Sequence, residues 1–247
     1  MKRKNVVLAV FFLLLTFAMQ NGFAMGGQEG LAKMSGADLD KIMNDTKEKE
    51  KYLVIDVRTA EEYAQGHVRY AINIVLDNLE QKVADIEDFK DKNVVTICRS
   101  GKRSQKAAEL LQKKGFKYLF NADGVESYKY TTMTKVANVR GKELQAIVNA
   151  GTHSVVDFRE EKDYDTSHLK GAINATVDNI MEKAAMLPKD KPVATYCYSG
   201  NRSFRGAEKL EAAGYTVVNS LDGTKEYSGF ELVKIIGYTV GYSVYRD

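Results

Sequence analysis

Two cysteines in the same sequence frame carry the most reactive chemistry that this chain offers. They are the only two cysteines among its 247 residues, and each begins the pattern Cys-x-Ser-Gly-x-Arg-Ser. The two copies read Cys98-Arg99-Ser100-Gly101-Lys102-Arg103-Ser104 and Cys197-Tyr198-Ser199-Gly200-Asn201-Arg202-Ser203. A thiol becomes a nucleophile as the thiolate, which nearby cations and backbone N–H groups stabilise. The frame therefore predicts a thiolate nucleophile in each copy.

Each cysteine lies at a predicted turn from a strand into a helix. A β-type apolar run precedes it (Val94–Ile97 and Val193–Tyr196), and a helical pattern follows it (104–114 and 203–213). The first N–H groups of a helix have no partner inside the helix, so this position binds anions and lowers a thiol pKa. We therefore predict that each loop curls around an anionic sulfur atom.

Two residue types within each loop should assist that role. Gly101 and Gly200 permit a positive φ or a close approach of the backbone to the sulfur. Arg103 and Arg202 add positive charge that could orient an anionic substrate. Because Arg99 and Lys102 add further charge to the first loop alone, we expect the first site to prefer anionic substrates more strongly.

The frame belongs to a repeat of about 100 residues. Asp56-x-Arg58 recurs as Asp157-x-Arg159, and Gly-His at position 67 recurs as Ser-His at 168. Solenoid repeats have periods of about 20–50 residues, so this period indicates a duplicated domain. Apolar runs alternate with helical patterns in both copies, which predicts an α/β fold in which helices flank a mostly parallel sheet. The predicted domains span residues 25–134 and 135–247.

Several local features follow from the same patterns. Ser35 is a predicted N-cap of the first helix, and the pattern from Leu79 to Phe89 predicts a further helix. Residues 25–33 are predicted to form a loose leader, and residues 129–138 show no clear period. Residues 229–247 form an apolar and tyrosine-rich tail with no counterpart of similar length in the first copy.

The N-terminus has the features of an export signal. Lys2, Arg3 and Lys4 precede an apolar run, and Gly22-Phe23-Ala24 provides small residues at a cleavage site. We therefore predict a signal peptide over residues 1–24 and a periplasmic location, with full secretion or an uncleaved anchor as alternatives. Residues 25–247 carry 33 basic and 33 acidic residues. This balance argues against nucleic-acid or membrane partners after cleavage.

An exported chain with two cysteines could also form a disulfide. The two cysteines occupy matching positions of a repeat, whereas a structural disulfide normally joins unlike positions, so we disfavour a bond between Cys98 and Cys197. Two cysteines 99 residues apart, with no nearby Cys or His pair, also make a poor zinc site. We predict no metal and no cofactor.

These motifs resemble the rhodanese family of sulfurtransferases. The resemblance covers nearly all of residues 25–247 as two tandem domains, and it rests on Asp-x-Arg, on Gly-His-x-x-x-Ala-Ile-Asn and on the Cys-x-x-Gly-x-Arg loop. It implies that sulfane sulfur passes from a donor such as thiosulfate or polysulfide to a cysteine, as a persulfide. An acceptor such as cyanide, a thiol or a protein then removes it.

The predicted site residues follow from the resemblance and the repeat. Cys98 and Cys197 are predicted to be catalytic, and the other residues of the two loops to bind substrate: Arg99, Ser100, Gly101, Lys102, Arg103, Ser104, Tyr198, Ser199, Gly200, Asn201, Arg202 and Ser203. A structural role beside the loops is predicted for Asp56, Arg58, His67, Asp157, Arg159 and His168. Tyr198 and Ser167 depart from the family pattern, which has arginine and glycine there.

Other functions use similar residues. A cysteine-dependent phosphatase or arsenate reductase generally places five residues between Cys and Arg, whereas both loops here place four. A carrier that binds persulfide sulfur and delivers it to a partner protein, without turnover on small molecules, would have the same residues. A thiol-redox protein is disfavoured because neither cysteine has a second cysteine two residues away.

Overall fold

A computed structural model describes residues 29–234 of the chain. The predicted signal peptide and most of the tail lie outside these residues. The first repeat contains β1 (Gly30–Met34), α1 (Gly36–Asn44), β2 (Tyr52–Asp56), α2 (Ala60–Ala64), β3 (His67–Val68), β4 (Ile72–Asn73), α3 (Leu79–Lys82), β5 (Asn93–Ile97), α4 (Lys102–Lys113), β6 (Tyr118–Ala122) and β7 (Met133–Thr134).

The second repeat has the same order of strands and helices. It contains β8 (Ala137–Val139), α5 (Gly141–Ala150), β9 (Ser154–Asp157), α6 (Glu161–Thr166), β10 (Ser167–Leu169), β11 (Ala172–Asn174), α7 (Ile180–Lys183), β12 (Val193–Tyr196), α8 (Asn201–Ala212), β13 (Val217–Ser220) and β14 (Leu232–Lys234). Short 3-10 helices lie at Lys49–Lys51, Leu76–Asn78, Val83–Phe89 and Ala184–Met186.

Each repeat forms a five-stranded sheet whose strands are all parallel. The order is β1-β6-β5-β2-β4 in the first sheet and β8-β13-β12-β9-β11 in the second, so equivalent strands occupy equivalent places. The central strands are apolar on both faces because helices cover both sides, as parallel sheets require. The α/β fold with two parallel-sheet domains is confirmed.

The strand that carries each cysteine lies in the middle of its sheet. β5 pairs with β2 and β6, and β12 pairs with β9 and β13. Ligands of parallel α/β sheets bind beyond the carboxyl ends of the strands, and both cysteines follow directly there. The sheets therefore place the two loops in equivalent positions.

The structure corrects the predictions for two segments near the ends of the first repeat. Residues 30–33 of the predicted loose leader belong to the edge strand β1, which pairs with β6 from Gly30 to Met34. Within the region 129–138, residues 133–134 form β7 against β3, and Ala137 begins β8 against β13. Edge strands this short carry a weak sequence signal, because two to five residues are too few to show a periodic pattern. The division at residues 134 and 135 remains a prediction.

The predicted helix over 79–89 is one α-helical turn followed by 3-10 helices. It is interrupted at Ile86, whose φ of −128° is not helical and whose side chain is buried. The first described part of the tail also has a counterpart, because β14 pairs with β10 as β7 pairs with β3. Within residues 29–234, no helix is long and apolar enough to cross a bilayer.

Candidate active site

The two cysteine loops have closely similar geometry. Gly101 and Gly200 are the N-caps of α4 and α8, and both have the left-handed backbone predicted for them, with φ of 86° and 73°. This conformation disfavours side chains other than hydrogen, and it turns the chain from the cysteine into the helix. Both cysteines are buried free thiols.

Each loop is supported from behind by the turn that follows the neighbouring strand. Val125 N donates to Cys98 O at 3.0 Å, and Thr224 N donates to Cys197 O at 3.0 Å. The turns approach so closely that a Cβ on Gly124 would lie 2.2 Å from Arg99 O, and one on Gly223 would lie 1.9 Å from the Tyr198 carbonyl carbon. Glycine is therefore required at these two positions to position the loops.

Cys98 is surrounded by hydrogen-bond donors. Gly101 N lies 3.2 Å from Cys98 Sγ, and Ser104 Oγ lies 3.3 Å from it. Burial raises the pKa of the Cys98 thiol, but the Ser104 hydroxyl and the N–H groups of Ser104, Ser100 and Gly101 together outweigh burial and lower the pKa below its usual value. These donors favour the thiolate, which is the form that acts as a nucleophile.

The second loop repeats part of this arrangement. Ser203 N and Ser203 Oγ each lie 3.4 Å from Cys197 Sγ. Both contacts are at the longer end for sulfur acceptors, and both come from the first turn of α8. The helix N-terminus therefore meets the sulfur in this repeat too, as the sequence predicts.

An asparagine in each sheet holds the serine that contacts the sulfur, and the sequence alone did not indicate it. Ser104 Oγ donates to Asn121 Oδ1 at 2.6 Å, and Ser203 Oγ donates to Asn219 Oδ1 at 2.7 Å. A hydroxyl has one proton, so Ser104 and Ser203 each donate to one of these two acceptors at a time, either the amide oxygen or the sulfur. The available signal was a polar residue at the same place in two apolar strands, β6 and β13.

We expect Ser104→Ala to raise the pKa of Cys98, because it removes the largest contribution that favours the thiolate. The test is the rate of alkylation by iodoacetamide against pH, measured in Cys197→Ala protein so that only Cys98 reacts. The midpoint should move to higher pH in Ser104→Ala. Ser203→Ala is the matched control, since it removes the equivalent hydroxyl from the other loop, and an unmoved midpoint in Ser104→Ala would contradict this role of Ser104.

The arginines that end the loops are held by carboxylates. The Arg103 guanidinium binds Glu62 through two hydrogen bonds of 2.7 Å, and Arg103 lowers the pKa of Glu62 to about 2. Arg202 Nη1 donates to Glu160 Oε1 at 2.7 Å. Arg99 Nε lies 3.3 Å from Glu126 Oε2, where both side chains are exposed. Much of the positive charge predicted for the loops is therefore balanced by acidic neighbours.

The Asp-x-Arg motifs form buried ion pairs at the ends of β2 and β9. Arg58 binds both carboxylate oxygens of Asp56 at 2.7 to 3.0 Å and donates to Gly66 O at 2.7 Å. Arg159 makes the equivalent bonds to Asp157 and to Ser167 O. These contacts fix the segment after each strand, which is consistent with the structural role predicted for all four residues.

The two predicted histidines form their hydrogen bonds with backbone carbonyls. His67 is fully buried, with Nδ1 2.9 Å from Tyr63 O and Nε2 2.9 Å from Val136 O. His168 Nδ1 lies 2.9 Å from Tyr164 O. His67 thus ties α2 to the segment that enters the second repeat, which is consistent with the structural role predicted for it.

The remaining predicted loop residues lie on the rim. Ser100 and Lys102 are exposed, whereas Tyr198, Ser199 and Asn201 are partly buried. The Tyr198 hydroxyl donates to Asp163, and the Tyr198 ring lies under the Arg202 guanidinium at 5.6 Å. Among residues 29–234, no group of three or more His, Cys, Asp or Glu side chains is placed to hold a metal ion.

Comparison with known proteins matches both repeats to one family. The model of the rhodanese-like domain matches residues 36–130 and 141–229. Thiosulfate sulfurtransferase PspE of Escherichia coli is 38% identical over 72 residues, which are 29% of this chain and 69% of that protein. Thiosulfate sulfurtransferase GlpE of Pseudomonas fluorescens is 34% identical over 100 residues, which are 40% of this chain and 86% of that protein.

One solved structure is similar to a part of the chain. A rhodanese with anions from E. coli is 33% identical, covers 34% of this chain and 98% of that chain, and has a TM-score of 0.32. The family model matches most of the sequence, and it does so once in each repeat. The chain therefore belongs to the rhodanese family and carries two rhodanese-like domains in tandem.

Proposed function

We propose that this protein is a sulfurtransferase that transfers sulfane sulfur from thiosulfate or a polysulfide to a thiophilic acceptor, through persulfides on Cys98 and Cys197. The observation that carries the proposal is the environment of Cys98 Sγ. A buried thiol receives hydrogen bonds from Gly101 N and Ser104 Oγ at the start of α4, which lower its pKa. The same donors suit a persulfide, which is also an anion centred on sulfur.

The proposed first step is a displacement at the outer sulfur of the donor. The thiolate electron pair forms a new S–S bond, the S–S bond of thiosulfate breaks, and its electron pair leaves with sulfite. The protein keeps one sulfur atom as Cys–S–S⁻. In the second step an acceptor attacks that outer sulfur; cyanide leaves as thiocyanate and the cysteine thiolate is regenerated. A thiol or a protein would be the acceptor in cells.

Thiocyanate production separates an enzyme from a carrier. Purified protein is supplied with thiosulfate and cyanide, and the amount of thiocyanate is compared with the amount of protein. An enzyme produces many equivalents at a constant rate, whereas a carrier without turnover produces no more than one equivalent for each loaded cysteine. We expect many equivalents, and a yield that stops at one or two would support the carrier.

We further propose that residues 1–24 direct export and that the protein acts in the periplasm. The support is the sequence: a basic start, an apolar run and small residues before position 25. The test is the N-terminal sequence of the protein recovered from a periplasmic extract. That sequence should begin at Met25. Recovery of the protein from the cytoplasm, with residues 1–24 still attached, would contradict the proposal.

A further inference from the structure

The two cysteine loops differ in what covers them. Among residues 29–234, the hydrogen bonds and ion pairs of Cys98–Ser104 all go to partners in the first repeat. The second loop, Cys197–Ser203, forms hydrogen bonds with the first repeat as well as with its own. This asymmetry has a visible origin in the length of one connection.

The connection from the first helix to the next strand is longer in the first repeat. Residues 45–51 join α1 to β2, whereas residues 151–153 join α5 to β9. We call residues 45–51 the connecting segment. Its sequence is Asp-Thr-Lys-Glu-Lys-Glu-Lys, which by itself suggests a charged stretch in solvent. The three residues between α5 and β9 are too few to cover the first loop in the same way.

The connecting segment lies against the second cysteine loop. Lys49 Nζ donates to Ser199 O at 3.4 Å, and Asn201 Nδ2 donates to Glu50 Oε1 at 2.6 Å. Lys49 is only 6% exposed, which is rare for a lysine and requires compensation. An ammonium has three N–H groups, and its one hydrogen bond here goes to a neutral carbonyl. Its charge therefore has no direct carboxylate partner among residues 29–234.

Tyr70 adds a second wall from the first repeat. It has a φ of 63°, which is unusual for a residue with a side chain, and the equivalent position of the second repeat is Gly171 with a φ of 73°. The Tyr70 ring packs on Phe204 of α8 at 4.4 Å, and Lys49 Nζ lies 4.6 Å from the centre of the same ring. The strained tyrosine thus holds Lys49 against the start of α8.

Lys49 and Ser199 line a cavity of about 310 Å³ between the two repeats. The cavity also contains carboxylates, but these have other partners. Glu50 binds Asn201, Asp222 binds Arg140 at 2.6 Å, and Glu226 accepts a hydrogen bond from Gly223 N at 2.7 Å. Burial lowers the pKa of Lys49, and the charges of Glu50, Glu226 and the Cys197 thiolate oppose that shift. Lys49 therefore lies against the loop that carries Cys197, through its hydrogen bond to Ser199 O.

We infer that Lys49 is a specificity-determining residue of the second sulfur site, where its ammonium group binds the anionic end of a small sulfur donor. The inference rests on the proposed function and adds a residue from the other repeat to it. The expectation that the first site prefers anionic donors rests on the loop residues alone and omits this cation. The first loop receives no such residue from the described part of the second repeat.

The test uses Cys98→Ala protein, so that sulfur is loaded only at Cys197. We expect Lys49→Met to slow persulfide formation from thiosulfate by on the order of tenfold, because one unscreened charge is removed from an enclosed site. Lys49→Arg should retain much of the rate. Lys51→Met is the matched control: it lies in the same segment, pairs with Glu48 and is exposed, so it should leave the rate unchanged. Equal rates in Lys49→Met and Lys51→Met would overturn the inference.

A second measurement does not depend on sulfur transfer. Iodoacetate and iodoacetamide have similar sizes and attack the same thiolate, but only iodoacetate is an anion. Lys49→Met should lower the rate ratio of iodoacetate to iodoacetamide at Cys197, whereas a change in the thiolate fraction alone would alter both rates equally. Lys49→Gln serves if the methionine variant does not fold. If the ratio falls but the Cys98→Ala parent takes up no sulfur from thiosulfate, the proposed function at Cys197 is refuted while Lys49 remains the anion-binding residue of that site. An unchanged ratio would refute the role of Lys49.

Discussion

Replacing both Cys98 and Cys197 by alanine should reduce thiocyanate formation from thiosulfate and cyanide by at least about 10³-fold, because removing a covalent nucleophile leaves only binding effects. The variant should fold normally, since alanine fills most of the space of a buried thiol and neither cysteine has a disulfide partner. Circular dichroism and thermal melting provide that control.

The single variants show whether the two sites act independently. If each site completes its own cycle, the activities of Cys98→Ala and Cys197→Ala should add up to that of the parent, because the loops belong to separate sheets. If sulfur passes from one cysteine to the other, each single variant should lose most of the activity. Residual activity of more than a few per cent in the double variant would contradict catalysis by these cysteines.

Breaking one buried Asp–Arg pair should strongly destabilise the fold. Asp56 is fully buried and the Arg58 side chain is 7% exposed, so Arg58→Met would leave a carboxylate in the protein interior without its cation. Removing one partner of a buried pair typically costs about 3–5 kcal/mol. We expect a decrease of that size in the free energy of unfolding, measured by urea denaturation followed by circular dichroism.

An exposed ion pair provides the control for this prediction. Lys51 pairs with Glu48 at 2.7 Å, but the two side chains are 60% and 43% exposed. Solvent screens exposed pairs of this kind, which contribute little to stability, so Lys51→Met should leave the unfolding curve nearly unchanged. The account of Asp56 and Arg58 would be wrong if both variants lost the same small amount of stability.

The sequence was most informative where a residue's role is local. The cysteine, glycine and serine of each loop act on one another within seven positions, so their spacing predicts a strand, a left-handed turn and a helix N-terminus. The duplication strengthened each of these predictions, because a chance pattern would not recur in the same order. Asp56 and Arg58 are likewise neighbours in sequence and partners in space.

The features that the sequence did not reveal depend on contacts between distant segments. Asn121 contacts Ser104 because β6 lies beside β5, and a single asparagine in an apolar strand does not show which neighbour it faces. Lys49 lies in a run of alternating charges that normally faces solvent, and only the packing of the two repeats buries it against Ser199. The edge strands β1 and β8 were missed because their few residues lack a periodic pattern.

The central claim is that both cysteines form persulfides, and the mass of the intact protein tests it most directly. Residues 25–247, each single Cys→Ala variant and the double variant are weighed before and after treatment with thiosulfate, and again after cyanide. We predict a gain of one sulfur mass for each cysteine that remains, and a return to the starting mass with cyanide. The claim would be contradicted if thiosulfate added no sulfur mass and the protein weighed two hydrogens less than the chain with two free thiols. If a reductant then restored those two hydrogens, the two cysteines would form a disulfide.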